Sequence, residues 1–287
     1  MVLAPALAMA APRSGMQLCM HQTTSAGAGY RRSLEGYAKA GIQYVEIIPP
    51  HFEEFVRKEG IAAAKRVLSD LGLTAVSSGG VRGLAEPGPH RAKALEDLKA
   101  KAAMIAELGV DRMVCPCGPT EKFTLDDYKR GRDNLREVGE IVKPYRIAAM
   151  LEFMRGSTFV GTLPTSLQLT RDAAHPNVKP MFDCYHFWAG LSKFEDLAGI
   201  RPGEIHHVHF QDVPGIPREL LDSTTRDIPG DGVSPLVPIL KALHNKGYSG
   251  PISVELFYPH LQNGDPYEVA SAIRRKAEPI MRQAGVL

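Results

Sequence analysis

Met150-Leu151-Glu152-Phe153, Met181-Phe182-Asp183-Cys184, His207-Val208-His209-Phe210 and Ser253-Val254-Glu255-Leu256 are four short, mostly apolar runs, each with a carboxylate or an imidazole at or near its end. Runs of this length, set between longer amphipathic stretches, read as β-strands of successive βα units. Two glutamates, an aspartate and an imidazole supply hard oxygen donors and one nitrogen. That set suits Mn²⁺, Mg²⁺, Co²⁺ or Zn²⁺, with coordination positions left for substrate.

The same alternation extends to both sides of these runs. Strands are expected over Met16 to Gln22, Tyr44 to Ile48, Leu73 to Ser77, Arg112 to Cys115, Ala148 to Phe153, Lys179 to Asp183, His206 to Gln211 and Ile252 to Phe257. Helices are expected over Arg31 to Ala40, Phe52 to Leu71, Arg91 to Leu108, Leu125 to Val142, Leu163 to Ala174, a short stretch near Phe194, Leu236 to Asn245 and Tyr267 to Arg282. Several helices end on a glycine just before the next strand, as at Gly41, Gly72, Gly109 and Gly247, where a left-handed residue closes the last turn. Eight alternating pairs imply a parallel sheet closed into a single (β/α)₈ TIM barrel of the α/β class. No Gly-x-Gly-x-x-Gly turn follows the first strand, which argues against an open dinucleotide-binding sheet. In such a barrel the chemistry sits at the C-terminal strand ends, where Glu152, Asp183, His209 and Glu255 fall.

At 287 residues and 44% hydrophobic content, one barrel uses nearly the whole chain. The domain expectation is a disordered extension over residues 1–15, apolar but without a basic residue before Arg13 and so a poor secretory signal, followed by the barrel over 16–287. A net charge of +2 with no polycationic block argues against nucleic acid as a partner. No apolar run is long enough to span a membrane. The four cysteines fall in apolar, strand-like runs and read as buried reduced thiols, favouring a cytoplasmic protein. Cys115-Pro116-Cys117 lacks the second Cys/His pair of a zinc site.

Asp183-Cys184-Tyr185-His186, His207-Val208-His209-Phe210-Gln211-Asp212, Arg226-Asp227-Ile228-Pro229-Gly230-Asp231-Gly232 and the final Val254-Glu255 give D-x-x-H, H-x-H-x-x-D, R-x-x-P-G-x-G and V-E in order. In these motifs the chain resembles the xylose isomerase-like sugar isomerase/epimerase superfamily, from about Gln17 onward. The resemblance implies metal ligation by Glu152, Asp183, His209 and Glu255. It also implies that His186 and Arg226 hold substrate oxygens beside the metal. His207 shares its strand face with His209, and the family pattern selects His209. The endonuclease IV branch of the superfamily, with three zinc ions, needs further histidines. Val76-Ser77-Ser78-Gly79 and Thr225-Arg226-Asp227 offer none, so phosphodiester cleavage is not expected.

A ketose or keto-polyol can chelate one cation, Mn²⁺ being the first expectation, through a carbonyl and a neighbouring hydroxyl. The cation stabilises the enediolate formed when the α-proton leaves. Glu152 and Glu255, on strands five and eight, are the expected proton-transfer pair, with His186 as a further catalytic group. Return of the proton gives an epimer or an aldose–ketose isomer. Loss of a β-substituent instead gives a lyase, such as a keto-sugar or keto-inositol dehydratase or an eliminase of a 3-keto-glycoside. His21, Glu46 and Trp188 are further candidates for substrate contact at the mouth. No compact Gly-rich loop or Lys/Arg cluster marks a phosphate pocket, so a non-phosphorylated sugar or polyol is expected. Val213 to Ser223 is long enough for a lid or a contact with a partner subunit, and a homo-oligomer would be in keeping with the fold.

Overall fold

The computed structural model describes residues 15–287. The expected extension therefore lies, apart from Gly15, outside the described residues. The strands are β1 (Gln17–His21), β2 (Tyr44–Ile47), β3 (Thr74–Gly79), β4 (Arg112–Cys117), β5 (Ala148–Phe153), β6 (Val178–Pro180), β7 (Phe182–Asp183), β8 (Val208–His209) and β9 (Pro251–Val254). All pair in parallel, in the order β6-β5-β4-β3-β2-β1-β9-β8-β7. β6 and β7 are two halves of one stave, separated at Met181. The first half pairs with β5 and the second with β8, so residues 178–183 join the two edges and bring the barrel near closure. The eight expected staves are therefore present, the sixth in two pieces.

Ten α-helices surround the staves among the described residues: α1 (Gly29–Lys39), α2 (Pro49–Glu59), α3 (Ile61–Asp70), α4 (Arg91–Glu107), α5 (Leu125–Val142), α6 (Leu163–Ala173), α7 (Cys184–Ala189), α8 (Leu236–Asn245), α9 (Pro259–Gln262) and α10 (Pro266–Ala284). Their starts follow local chemistry. Thr124 and Asp127 form a reciprocal capping box on α5, and the Asp265 side chain accepts from the Tyr267 and Glu268 N–H groups of α10. The single helix expected over Phe52 to Leu71 is two. Gly60, at φ +84°, turns the chain between α2 and α3, and Pro49 and Pro50 let α2 begin earlier than the hydrophobic pattern suggests.

The apolar faces of the helices pack on the outside of the staves in one large core that includes Leu34, Val45, Phe52, Phe153 and Ile239, with a second cluster around Leu98, Ile105, Val138 and Ala149. The inward layer is different. Cys19, Glu46, Ser77, His207, His209 and Ser253 are all buried, so the barrel axis near the mouth is lined by polar groups. The register pairs His21 with Glu46, Glu46 with Ser77, and Asp183 with His209, which puts these side chains side by side. No helix of the described residues is long and apolar enough to cross a membrane.

Candidate metal centre and active-site cleft

Four strand ends deliver the donors. Glu152 lies in β5, Asp183 in β7, His209 in β8, and Glu255 one residue beyond β9. One ligand atom from each lies within 4.8 Å of the others. The His209 Nδ1 atom is 3.1 Å from Glu152 Oε1, 3.4 Å from Asp183 Oδ2 and 3.5 Å from Glu255 Oε2. One ring nitrogen has a single proton or lone pair to offer, yet three carboxylate oxygens converge on it. Arg226 Nη1 pairs with the same Asp183 and Glu255 oxygens and balances part of this charge, and two glutamates, an aspartate and an imidazole are a donor set of the type that holds a divalent cation. The other ring nitrogen, Nε2, lies 3.3 Å from Glu46 Oε2 without a hydrogen bond, so Glu46 acts on this imidazole through its charge.

Electrostatics follow from this crowding. Burial, with Asp183 and Glu255 nearby, pushes the Glu152 carboxyl up to about 7 despite the opposing His209. For Asp183, burial acts upward but is outweighed by His186, Arg226 and His209, which hold it well below the usual carboxylate range. Glu255 is likewise lowered: Arg226, His209 and His21 overcome burial. His209 is raised well above its ordinary value because the surrounding carboxylates overcome burial.

Asp183 also caps α7. Its Oδ1 accepts from the His186 N–H at 2.6 Å, while its Oδ2 accepts from Gln211 Nε2 at 2.7 Å and Arg226 Nη1 at 3.2 Å. Arg226 Nη1 hydrogen-bonds to the Glu255 carboxylate as well, and its guanidinium lies 4.9 Å from the centre of the Phe257 ring. His186 Nε2 is 3.1 Å from Arg226 Nη2, and Nδ1 is 3.1 Å from the Arg155 backbone nitrogen. Burial pushes His186 down to about 4, so the ring is neutral and can form only one of these two hydrogen bonds at a time.

The mouth opens into a cavity of about 560 Å³. His21, Glu152, His209, Arg226 and Glu255 line it, and Phe257, Met154, Pro116, Val114 and Pro49 supply apolar wall. His21 Nε2 stands 3.7 Å from both Glu46 Oε1 and Glu255 Oε1. Three residues expected at the substrate do not line this cavity. Glu46 is fully buried beneath it, held by His207 Nε2 at 2.9 Å and the Ser77 hydroxyl at 3.2 Å. His186 is fully buried behind Arg226. Trp188 packs instead beside Tyr185, Val213 and Leu221, with the Arg218 guanidinium 5.3 Å from its ring centre. Its position follows from α7, which turns the side chain toward the loop after β8.

That loop shows what the Asp212 and Gly232 of the two motifs do, and Arg155, outside it, is a group the sequence did not single out. Residues 212–227 are closed at the base by paired backbone hydrogen bonds between Asp212 and Asp227. Arg155, just after β5, donates to the carbonyls of Ala189, Leu221 and Arg218 and so ties the loop to α7. The Asp212 carboxylate accepts from the N–H groups of Val213, Gly230 and Ser234. A Cβ at Gly232 would come within 2.3 Å of the Val213 carbonyl oxygen, so the last glycine of R-x-x-P-G-x-G is needed for this close approach. All four cysteines are free and buried, and Cys117 donates to Glu86 Oε2 at 3.4 Å rather than pairing with Cys115.

Residues 34–278 match the family model described as xylose isomerase-like TIM barrel. The inosose isomerase of Halalkalibacterium halodurans is 29% identical over 254 residues, 85% of this chain and 89% of that protein. A 3-dehydroshikimate dehydratase of Pseudomonas putida is 29% identical over 170 residues, 58% of this chain and 26% of that longer protein. The crystal structure of the IOLI protein with a bound zinc atom superposes with a TM-score of 0.87 at 23% identity, covering 94% of this chain and 99% of that one. At that identity the likeness is one of fold.

Proposed function

This chain belongs to the xylose isomerase-like TIM barrel family, and from that premise we propose that it is a divalent-metal-dependent isomerase or epimerase of a ketose or keto-polyol. The observation that carries the reading is the convergence of Glu152, Asp183, His209 and Glu255 on one point at the barrel mouth. These four residues would hold the cation. Mn²⁺ is the ion we favour for three oxygen donors and one nitrogen, with Zn²⁺, the ion in the IOLI structure, as the alternative. A bound cation supplies Lewis-acid polarisation of a chelated carbonyl, worth several kcal/mol.

The chain's own residues supply the proton transfers. Glu152 and Glu255 reach the same cavity from staves five and eight. In this proposal one takes the proton from the carbon beside the carbonyl and the other returns it, a positioned acid–base pair contributing about 10²–10⁴-fold. Arg226 and His21 bind substrate oxygens at the rim. His186 and Glu46 act one layer back, orienting Arg226 and His209 respectively. The similarity to 3-dehydroshikimate dehydratases favours one second reading, a lyase that uses the same proton abstraction and then expels a β-hydroxyl.

Metal analysis of the purified protein, followed by incubation with a panel of keto-sugars and inososes in D₂O, tests both readings. Solvent deuterium at the α-carbon of an otherwise intact skeleton, lost on chelation and in Glu152→Gln and Glu255→Gln, is the expected result. Loss of water from the substrate would establish the lyase. Turnover unaffected by chelation or by either substitution would overturn the cation-centred mechanism.

A further inference from the structure

The cleft has a second charged region that the centre does not use. Arg82, in the loop after β3, and Lys101, on α4, both line the cavity that contains Glu152, His209 and Glu255. Staves three and four, from which they approach, lie across the barrel from staves seven and eight. Neither cation makes an ion pair with a carboxylate among the described residues. Arg82 also faces an adjoining cavity of about 470 Å³ with Glu86, Asp97 and Glu121 on its wall, and still pairs with none of them. Lys101 has one protein contact, Nζ at 3.5 Å from the Gly80 carbonyl oxygen, which leaves its other donors for a ligand. Pro49, Pro50, Val114, Pro116 and Met154 line the same cavity and add apolar surface.

Resting on the cation-centred reading above, we propose that the substrate carries an anionic substituent, a carboxylate or a phosphate, which Arg82 and Lys101 bind while its keto-polyol end faces the four donors. The apolar wall then packs against the body of the molecule. An arginine fork beside a lysine is the chemistry that recognises grouped anionic oxygens, and leaving two cations unneutralised in a cleft favours an anion over a neutral sugar. Arg82 and Lys101 are far apart in sequence, so no compact Lys/Arg cluster announces them. The turn from β3 into α4 brings them to one wall, beside Gly79 and Gly80.

Calorimetric titration of the metal-loaded full chain with neutral myo-inositol, a polyhydroxylated cyclohexanecarboxylate and an inositol monophosphate tests this without requiring turnover. At least one anion is expected to bind tenfold or more tightly than inositol. That preference should be lost in Arg82→Met and in Lys101→Met, and it should weaken with added salt. The carboxylate and phosphate arms decide which anion is held. Repeating the titration in Glu152→Gln separates the two claims: retained anion preference there, with deuterium exchange abolished, supports both, whereas exchange that survives sinks the mechanism and leaves the anion site standing. Equal affinity for neutral and anionic ligands, no binding of either anion, or a preference unchanged in the Arg82→Met/Lys101→Met double variant overturns the proposal. Arg82 is exposed, so its replacement leaves the core intact.

Discussion

His207 Nε2 lies 2.9 Å from Glu46 Oε2, with both side chains fully buried beneath the four donors. Burial alone would raise the Glu46 carboxyl, but His207, His209 and His21 together hold it well below its ordinary value. Glu46 is thus a buried anion shared by three imidazoles, one of which faces the proposed metal position. Glu46→Ala should cost about 3–5 kcal/mol of stability, the usual result of removing one partner of a buried charged pair. Glu46→Gln should keep the fold and weaken cation affinity about 10–100-fold by loosening His209. Chemical denaturation and competition titration with a metal indicator measure the two effects. Unchanged affinity in Glu46→Gln would show that His209 needs no support from behind.

A cation that bridges Glu152, Asp183, His209 and Glu255 binds only the folded chain, so loading should raise thermal stability. At one hundred times the dissociation constant the gain is about 2.7 kcal/mol, several degrees of melting temperature for a chain of this size. Melts recorded after chelation and after reloading with Mn²⁺ or Zn²⁺ check this. Asp183→Asn should abolish the shift, because Asp183 is one of the four proposed ligands and its Oδ2 also accepts from Gln211 and Arg226. An undiminished shift in that variant would place the cation elsewhere.

The parts of the architecture legible in the sequence are those set by short-range periodicity. Strand ends carrying Glu152, Asp183, His209 and Glu255 could be read because each donor lies at or near the end of its own apolar run, and the fold brings all four together. What could not be read depends on contacts between distant segments. α7 exists because Asp183, a candidate ligand, also accepts from the His186 N–H at its first turn. That helix then carries His186 behind Arg226 and turns Trp188 away from the cavity. Glu46, a strand-end carboxylate like Glu152 by sequence, differs only through its neighbours His207 and Ser77. The Arg82 and Lys101 wall needed the β3–α4 connection to be visible at all.

His206, half-buried at the start of the run that leads into β8, responds to pH in a defined direction. Burial, with Arg112 next, pushes its pKa down to about 4. An unfolded histidine titrates near 6.5, so the unfolded chain takes up this proton first. Stability from this residue is therefore complete above about pH 6.5 and declines as the pH falls through the folded value near 4. The decline is at most about 3 kcal/mol, and partial exposure reduces it. Urea midpoints of wild type and His206→Gln, compared between pH 7 and 4, isolate the effect from the carboxylates that titrate in both. The variant should show a shallower loss on acidification; parallel curves would mean that His206 is solvated like a surface histidine.

The Asp212 carboxylate, 2% exposed, accepts hydrogen bonds from Val213 at 2.9 Å, Gly230 at 3.0 Å and Ser234 at 2.8 Å. It ties the start of the loop after β8 to the turn that follows Arg226, and the Asp212–Asp227 backbone pair closes the same ring. Arg226 is thereby held at a loop end whose two strands cannot separate, which explains how a loop residue reaches Asp183 and Glu255. Asp212→Ala strands the Gly230 and Ser234 N–H groups, while the Val213 N–H keeps the Ser234 hydroxyl at 3.2 Å; each stranded donor costs about 1–3 kcal/mol if it stays buried, though water entering the loop relieves part of this. The expected outcome is a loss of about 2–4 kcal/mol in denaturation, faster amide exchange confined to residues 212–234, and a fall in activity shared with Arg226→Ala. Gly232→Ala should reproduce the faster exchange, because its Cβ would press on Asp212 and on the Val213 carbonyl. If Asp212→Ala loses stability but keeps full activity, Arg226 is positioned by Asp183 and Glu255 alone, and the loop ring has no part in the chemistry.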